Sequence, residues 1–282
     1  MNYRHLYHAG NFGDVIKHII LIELISSLLK KPTPFCFLDT HAGTGCYDLF
    51  SDMSEKNKEY SGGILKIIEA EKPPPLVKLY LACVNRINNQ LTGSKFSSLR
   101  YYPGSPFIAH HFARQQDKMI ACELHPIEYQ NLKTLFKDNK EIATHHMDGY
   151  LALKAFLPPR EKRGLILIDP PYENPEEFDR LSQHLPIALK RFPTGIFCLW
   201  YPIKEKNRLI RFQQTIRRTI GNPIFIIELT IYPDLPNHLN GCGLMIINPP
   251  WQFDQNINKI LPWLWNVLTI NKQGTYRAYL LK

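Results

Sequence analysis

Residues 164–172 read Gly-Leu-Ile-Leu-Ile-Asp-Pro-Pro-Tyr, inside the longer stretch RGLILIDPPYENPEEFD that begins at Arg163. An unbroken aliphatic run closed by an acid predicts a strand buried on both faces, as in a parallel sheet. Pro170 and Pro171 end it, because proline donates nothing to a strand ladder. The pattern returns at residues 243–251, Gly-Leu-Met-Ile-Ile-Asn-Pro-Pro-Trp, closed by Asn248 and Trp251. Two strands thus end in Asp or Asn, two prolines and an aromatic ring.

Outward from Asp169 the chain alternates. KMIACELHP, ATHHMDG and TGIFCLWYP read as strands; PIEYQNLKTLFKD, YLALKAFL, EEFDRLSQHLPIALKRF and the basic EKNRLIRFQQTIRRTI read as helices. PIFIIELTIYP and GCGLMIINPP read as two closing strands, followed by the amphipathic INKILPWLWNVL. Toward the N-terminus, apolar residues from Val15 to Leu28 recur at helical spacing, with Asp14 as N-cap, and FCFLDTHAGTG reads as a buried strand and a glycine loop. Strand and helix in alternation predict one α/β fold, a parallel sheet with helices on both faces.

The 282 residues are 44% hydrophobic and carry a formal net charge of +9. That composition predicts a globular chain, and the charge favours an anionic partner, nucleic acid first. Six cysteines occur without CxxC spacing, and Cys36, Cys122 and Cys198 lie in apolar strands. A reduced, cytoplasmic protein without disulfides or structural zinc is expected. The N-terminus has no signal-peptide core, and VIKHIILIELISSLL is too short and too polar to span a membrane.

Ligands of such sheets bind beyond the carboxyl ends of the strands. There the chain supplies the small residues of Asp39-Thr40-His41-Ala42-Gly43-Thr44-Gly45, then Glu123, Asp148 and Asp169. The acid that holds a ribose ordinarily follows the glycine loop by about 20 residues. Glu123 follows Gly45 by 78; without residues 46–100, which read as helical with no convincing strand, it would follow by 23. Three parts result: 1–45, holding the N-terminal motif, first helix and first strand; 46–100, a helical insertion; and 101–282, the rest of the core. Ser105 opens the helix that resumes the core, and Asp148 is placed for an adenine amine.

Asp-Pro-Pro-Tyr is a clamp for a planar amine. The exocyclic nitrogen of adenine is a poor nucleophile, because its lone pair is delocalised into the ring. Acceptors on its two N–H bonds favour tetrahedral geometry and stabilise the developing positive charge. Asp169 supplies a carboxylate and Pro170 a carbonyl; Tyr172 supplies a ring for stacking a base drawn out of its helix.

The residues resemble the ribosomal RNA large subunit methyltransferase J family over nearly the whole chain. The resemblance rests on YRHLYHAGNFGDVIKH (3–18), LDTHAGTG (38–45), RYYPGSP (100–106), ELHP (123–126), KRGLILIDPPYE (162–173), LWYP (199–202) and INPPW (247–251). It implies S-adenosylmethionine-dependent methylation of N6 of an adenosine in 23S ribosomal RNA. It implies a Rossmann-like, mostly parallel seven-stranded sheet with an antiparallel last strand, and a monomer without a metal. His18, His41, Gly43, Ser105, Glu123, Asp148, Gly149 and Asp169 would line the cofactor site, with Asp169 catalytic. Tyr3, Arg4 and Lys17 would lie on the RNA side. Gly13 departs from the alanine usual in the family.

In that architecture the last strand points its carboxyl end away from the ligand edge, so Asp169 is expected to serve chemistry and Asn248 is not. The clamp serves a DNA adenine-N6 methyltransferase equally well, and no separate target-recognition domain is seen. A nucleic-acid-binding protein linked to the use of external DNA is the other alternative; no carboxylate cluster for nuclease metals is apparent.

Overall fold

Leu165 and Leu167 face one apolar layer, Ile166 and Ile168 the other. Both faces of their strand are covered, which is why the sequence there shows no polar alternation. The computed structural model describes residues 4–93, 99–236 and 238–281.

The chain opens with α1 (Phe12–Leu29) and β1 (Cys36–Asp39). Then come β2 (Cys46–Asp48), α2 (Asp52–Asn57), α3 (Ile64–Glu69), α4 (Pro75–Thr92) and β3 (Tyr101–Pro103). The regular alternation follows: α5 (Ser105–Phe112), β4 (Lys118–Glu123), α6 (Pro126–Leu135), β5 (Ile142–His146), α7 (Gly149–Phe156) and β6 (Gly164–Ile168). It continues through α8 (Glu177–Arg191), β7 (Ile196–Ile203), α9 (Lys206–Thr219), β8 (Ile224–Thr230), β9 (Gly241–Ile247), α10 (Phe253–Leu268) and β10 (Tyr276–Leu280).

The main sheet runs β10-β8-β9-β7-β6-β1-β4-β5. From β7 to β5 all pairings are parallel; β9 lies antiparallel between β7 and β8. The α/β reading therefore holds, with helices on both faces. Residues of α1, α4, α5 and α10 share one buried layer, and those of α7, α8 and α9 the other. Cys36, Cys122 and Cys198 are buried in β1, β4 and β7, and all six cysteines are free.

Three expectations need correction. The sheet has eight strands, not seven: β10 pairs antiparallel with β8 at the edge, so β9 is not the last. Five half-exposed residues carry little apolar signal, and β10 is held by its register to β8 and by Arg277 against the buried Glu228. The stretch from residue 46 is not free of strands either. Cys46–Asp48 pairs antiparallel with Tyr101–Pro103 and closes the neck where the inserted helices leave and rejoin the core. Three residues are too few to show a period, and the ribbon forms because the chain must return to where it left. Finally, α1 is capped by Asn11 and not by Asp14. The Asn11 side chain accepts from the Asp14 N–H, and the Asp14 side chain reaches back to accept from the N–H of Gly10, the residue before the cap.

Candidate active site

The carboxyl ends of β1, β4, β5 and β6 open onto one edge, where a cavity of about 350 Å³ lies. Its wall includes His18, His41, Gly43, Ser105, Glu123, Asp148 and Gly149, together with Asp169, Pro170 and Tyr172. These residues come from six separate stretches of sequence, and the sheet order is what gathers them.

Each carboxylate is engaged. Glu123 ends β4, and its two oxygens accept from the backbone N–H groups of Gly43 (2.8 Å) and His125 (2.7 Å). Burial pushes its pKa upward despite those bonds. Asp148 caps α7 through the N–H groups of Tyr150 and Leu151, and its other oxygen meets Arg180 at 3.1 Å. The Arg180 guanidinium lies over the Tyr150 ring. Close approach at this end depends on Gly149: a Cβ there would stand 2.5 Å from the Thr40 carbonyl oxygen and 2.7 Å from His41 Cε1. His41 bonds Thr40 through Nδ1, and burial lowers its pKa to about 4, so the ring is neutral. Gly43 adopts φ +59°, the left-handed region open to glycine.

At the other end, Asp169 Oδ2 accepts from Lys17 Nζ at 2.6 Å. Lys17 also meets Asp14 at 2.8 Å, and Asp14 in turn accepts from His5 (2.8 Å). Burial opposes the Lys17 charge, but the two carboxylates outweigh it and hold the ammonium protonated beyond its usual range. Lys17 was expected on the RNA side. The structure places it 5% exposed beneath Asp169, because a helix that is apolar all round turns even its lysine inward, where carboxylates must neutralise it. Arg4 pairs instead with Glu128 at 3.3 Å, and Tyr3 lies outside the described residues.

Tyr172 takes φ +51°, uncommon for a bulky residue, and donates its hydroxyl to the Trp200 carbonyl (2.6 Å). The ring sits beside Phe178 and Trp200. A Cβ at Gly13 would come within 3.2 Å of the Trp200 indole, so a glycine leaves that ring room. Asp39 was not singled out from the sequence. It is fully buried, accepts from Ser105 Oγ at 2.6 Å, and is pushed up to about 7 by burial. Its place directly before the glycine loop was a visible signal; its closure by Ser105 was not.

Asn248 stands at the opposite edge. Ile247 pairs with Phe197 and Ile224, the amino-terminal ends of β7 and β8. The Asn248 amide donates to the carbonyls of Pro193 (2.8 Å) and Gly195 (2.7 Å) and accepts from Asn222 (2.9 Å). It ties loops together and faces no cavity residue.

The cavity's donor set fits S-adenosylmethionine. An acid ends β4 and another follows β5, a glycine bend and Gly149 leave room beside them, and the lining includes buried polar atoms, His18 Nε2 among them, with no hydrogen-bond partner among the described residues. Among the described residues, no group of three His, Cys, Asp or Glu side chains could hold a metal ion, and no helix is long and apolar enough to cross a membrane.

Parallel strands β6-β1-β4-β5 with an antiparallel β9 inserted beyond β7, and this acid-lined edge, define a Rossmann-like methyltransferase. The comparisons with known proteins narrow the class. A family model described as "Ribosomal RNA large subunit methyltransferase D, RlmJ" matches residues 32–281. The chain is 40% identical over 269 residues to ribosomal RNA large subunit methyltransferase J of Escherichia coli, covering 95% of this chain and 94% of that one. It is 37% identical over 277 residues to the protein of that name in Haemophilus influenzae, covering 98% and 97%. A crystal structure from Legionella pneumophila superposes with a TM-score of 0.87 at 39% identity, covering 96% and 98%. The chain belongs to the RlmJ family.

Proposed function

We propose that this protein transfers the methyl group of S-adenosylmethionine to N6 of an adenosine in 23S ribosomal RNA. The observation that carries the reading is the Asp169 carboxylate, held by a buried lysine at the cofactor edge of the sheet, with Pro170 and Tyr172 beside it in one cavity.

When bound, S-adenosylmethionine supplies an electrophilic methyl group on a positively charged sulfur. Glu123 accepts ribose hydroxyls and Asp148 an adenine amine; His18, His41, Gly43, Ser105 and Gly149 shape the rest of the pocket. Lys17 occupies one oxygen of Asp169, so the other is the acceptor for the target amine. The Pro170 carbonyl takes the second N–H. With both N–H bonds held, the nitrogen lone pair leaves conjugation and the charge that develops on transfer is stabilised in place. The ion pair with Lys17 holds the Asp169 carboxylate in place to accept a hydrogen bond from the amine. The Tyr172 ring, fixed by its bond to Trp200, is the face on which the extruded base stacks.

Tyr3 and Arg4 are the N-terminal residues we assign to RNA contact, and the net charge of +9 favours a polyanion. Residues 46–100 form an insertion in the core between β1 and α5. The protein acts as a reduced, cytoplasmic monomer. Radiolabelled methyl transfer to an RNA hairpin and to a DNA hairpin of equal sequence tests the substrate class. N6-methyladenosine should form on RNA at least about tenfold faster, because 2′-hydroxyls distinguish the two. Equal rates would favour the DNA methyltransferase.

A further inference from the structure

Tyr80 in α4, Tyr102 in β3 and His18 in α1 form a buried line. The two phenol oxygens are 3.0 Å apart, and Tyr102 Oη is 2.8 Å from His18 Nδ1. All three side chains are fully buried, and the other ring nitrogen, Nε2, has no partner among the described residues although the ring lines the cavity. We infer that Tyr80 and Tyr102 are positioning residues that hold His18 as its Nε2–H tautomer, presenting a neutral donor to the carboxylate of the cofactor's amino-acid tail. This rests on the S-adenosylmethionine reading above.

The reasoning is a count of protons. Each phenol carries one, and so does a neutral imidazole. If Tyr80 donates to Tyr102, then Tyr102 donates to Nδ1 and the ring proton sits on Nε2. Every proton except the one on Nε2 then has an acceptor inside the protein. In the reverse order, Nδ1–H donates to Tyr102 and Tyr102 donates to Tyr80. The Tyr80 proton is then buried without an acceptor among the described residues, and such orphans are avoided because their desolvation is uncompensated. The doubly protonated ring is disfavoured as well. Burial, aided by the neighbouring Lys17 charge, outweighs the attraction of Asp14 and lowers the His18 pKa to about 3.

A neutral N–H selects for an acceptor. In the amino-acid tail of S-adenosylmethionine the carboxylate is the acceptor; the ammonium would set donor against donor. The inserted helix α4 thereby reaches the cofactor site through Tyr80, without touching the ligand. This gives residues 46–100 a part in cofactor binding that their distance in sequence from the other site residues does not disclose.

Ring-nitrogen NMR of the protein labelled with 15N-histidine tests the tautomer without any variant: His18 should show a protonated Nε2 and a bare Nδ1. In Tyr80→Phe the donor that orders the line is gone, so a share of Nδ1–H should appear. Calorimetry with two ligands supplies the second readout. Binding of S-adenosylhomocysteine should weaken roughly 3- to 10-fold in Tyr80→Phe, the worth of one hydrogen bond. Binding of methylthioadenosine, the same nucleoside thioether without the amino-acid carboxylate, should be unchanged. An Nδ1-protonated ring in the wild-type protein, or equal losses for the two ligands, overturns the inference. Wild-type protein that binds neither nucleoside overturns the cofactor reading itself, and the donor role with it. Binding of S-adenosylhomocysteine by a protein with an Nδ1-protonated ring overturns only the inference.

Discussion

Asp169 and Asn248 each follow a buried aliphatic strand and precede two prolines and an aromatic residue, yet their surroundings have nothing in common. Asp169 looks into a cavity and meets Lys17; Asn248 looks into backbone and meets three amide or carbonyl partners. Tyr172 is partly buried among aromatic rings, while Trp251 is 84% exposed. Both stretches bend through a left-handed residue, Tyr172 in one and Asn248 in the other. That residue is the last of one motif and the first of the other, and strand direction decides what each motif faces. β6 runs parallel to β1 and delivers its acid to the cofactor edge; β9 runs antiparallel to β7 and delivers its amide to the far edge. A strand-end motif thus acquires chemistry from its neighbours and not from its own residues.

The largest effect expected from this contrast is at Asp169. Asp169→Ala removes the amine's acceptor, and loss of one transition-state hydrogen-bond partner typically costs about 10²–10³ in rate. Cofactor affinity should stay within about a few-fold by calorimetry. Joint loss of activity and cofactor binding would make Asp169 a cofactor or structural residue instead.

Stability should respond at the other edge. Asn248→Asp replaces an amide that donates to two carbonyls with an oxygen that repels them, for about 2–4 kcal/mol of destabilisation in denaturant melts. The folded fraction should methylate RNA within about twofold of wild type. A folded Asn248 variant without turnover would mean the two strand ends are not functionally distinct.

A smaller effect separates the edges by pH. Histidines are held neutral at the cofactor edge; the bracket of Asn248, Asn222, Pro193 and Gly195 contains no titratable side chain. Burial lowers His18 to about 3 and His41 to about 4, below the ordinary value of 6.5. The stability they contribute is present above pH 6.5 and is lost as pH falls from there toward 4, at about 1.4 kcal/mol per pH unit for each ring. Asp39 works in the opposite sense. Burial raises it from 3.8 to about 7, so its ionisation costs stability as pH rises through that window. Asp39→Asn should therefore steepen the acid loss between about pH 4.5 and 6.5 by about 1.4 kcal/mol per unit. Denaturant melts at several pH values measure this, and parallel slopes for wild type and variant would contradict the assignment.

Much of the site was legible because its residues sit at strand ends, where an apolar run stops and an acid or glycine begins. Glu123, Asp148 and Asp169 were readable in that way, and the insertion betrayed itself by displacing Glu123 from the glycine loop. The ion pairs of Lys17 were not legible because a cation in an apolar helix reads as a surface residue until its partners are known; Asp14 and Asp169 are 3 and 152 positions away. β10 escaped because its residues have little burial of their own to announce, and the ribbon of β2 and β3 because three residues are too few to show a period.

The amino-acid sequence by itself determined the class of fold, through aliphatic runs that only a sheet covered on both faces can bury, and the chemistry available at each strand end. Only the tertiary structure decided that Lys17 pairs with Asp169, that the sheet carries an eighth strand, and that a tyrosine of the insertion stands in line with His18. Periodicity and composition act over neighbouring residues and so leave a record in sequence. Strand direction, pairing partner and the path of a hydrogen-bonded proton depend on groups brought together from distant positions, and no local pattern encodes them.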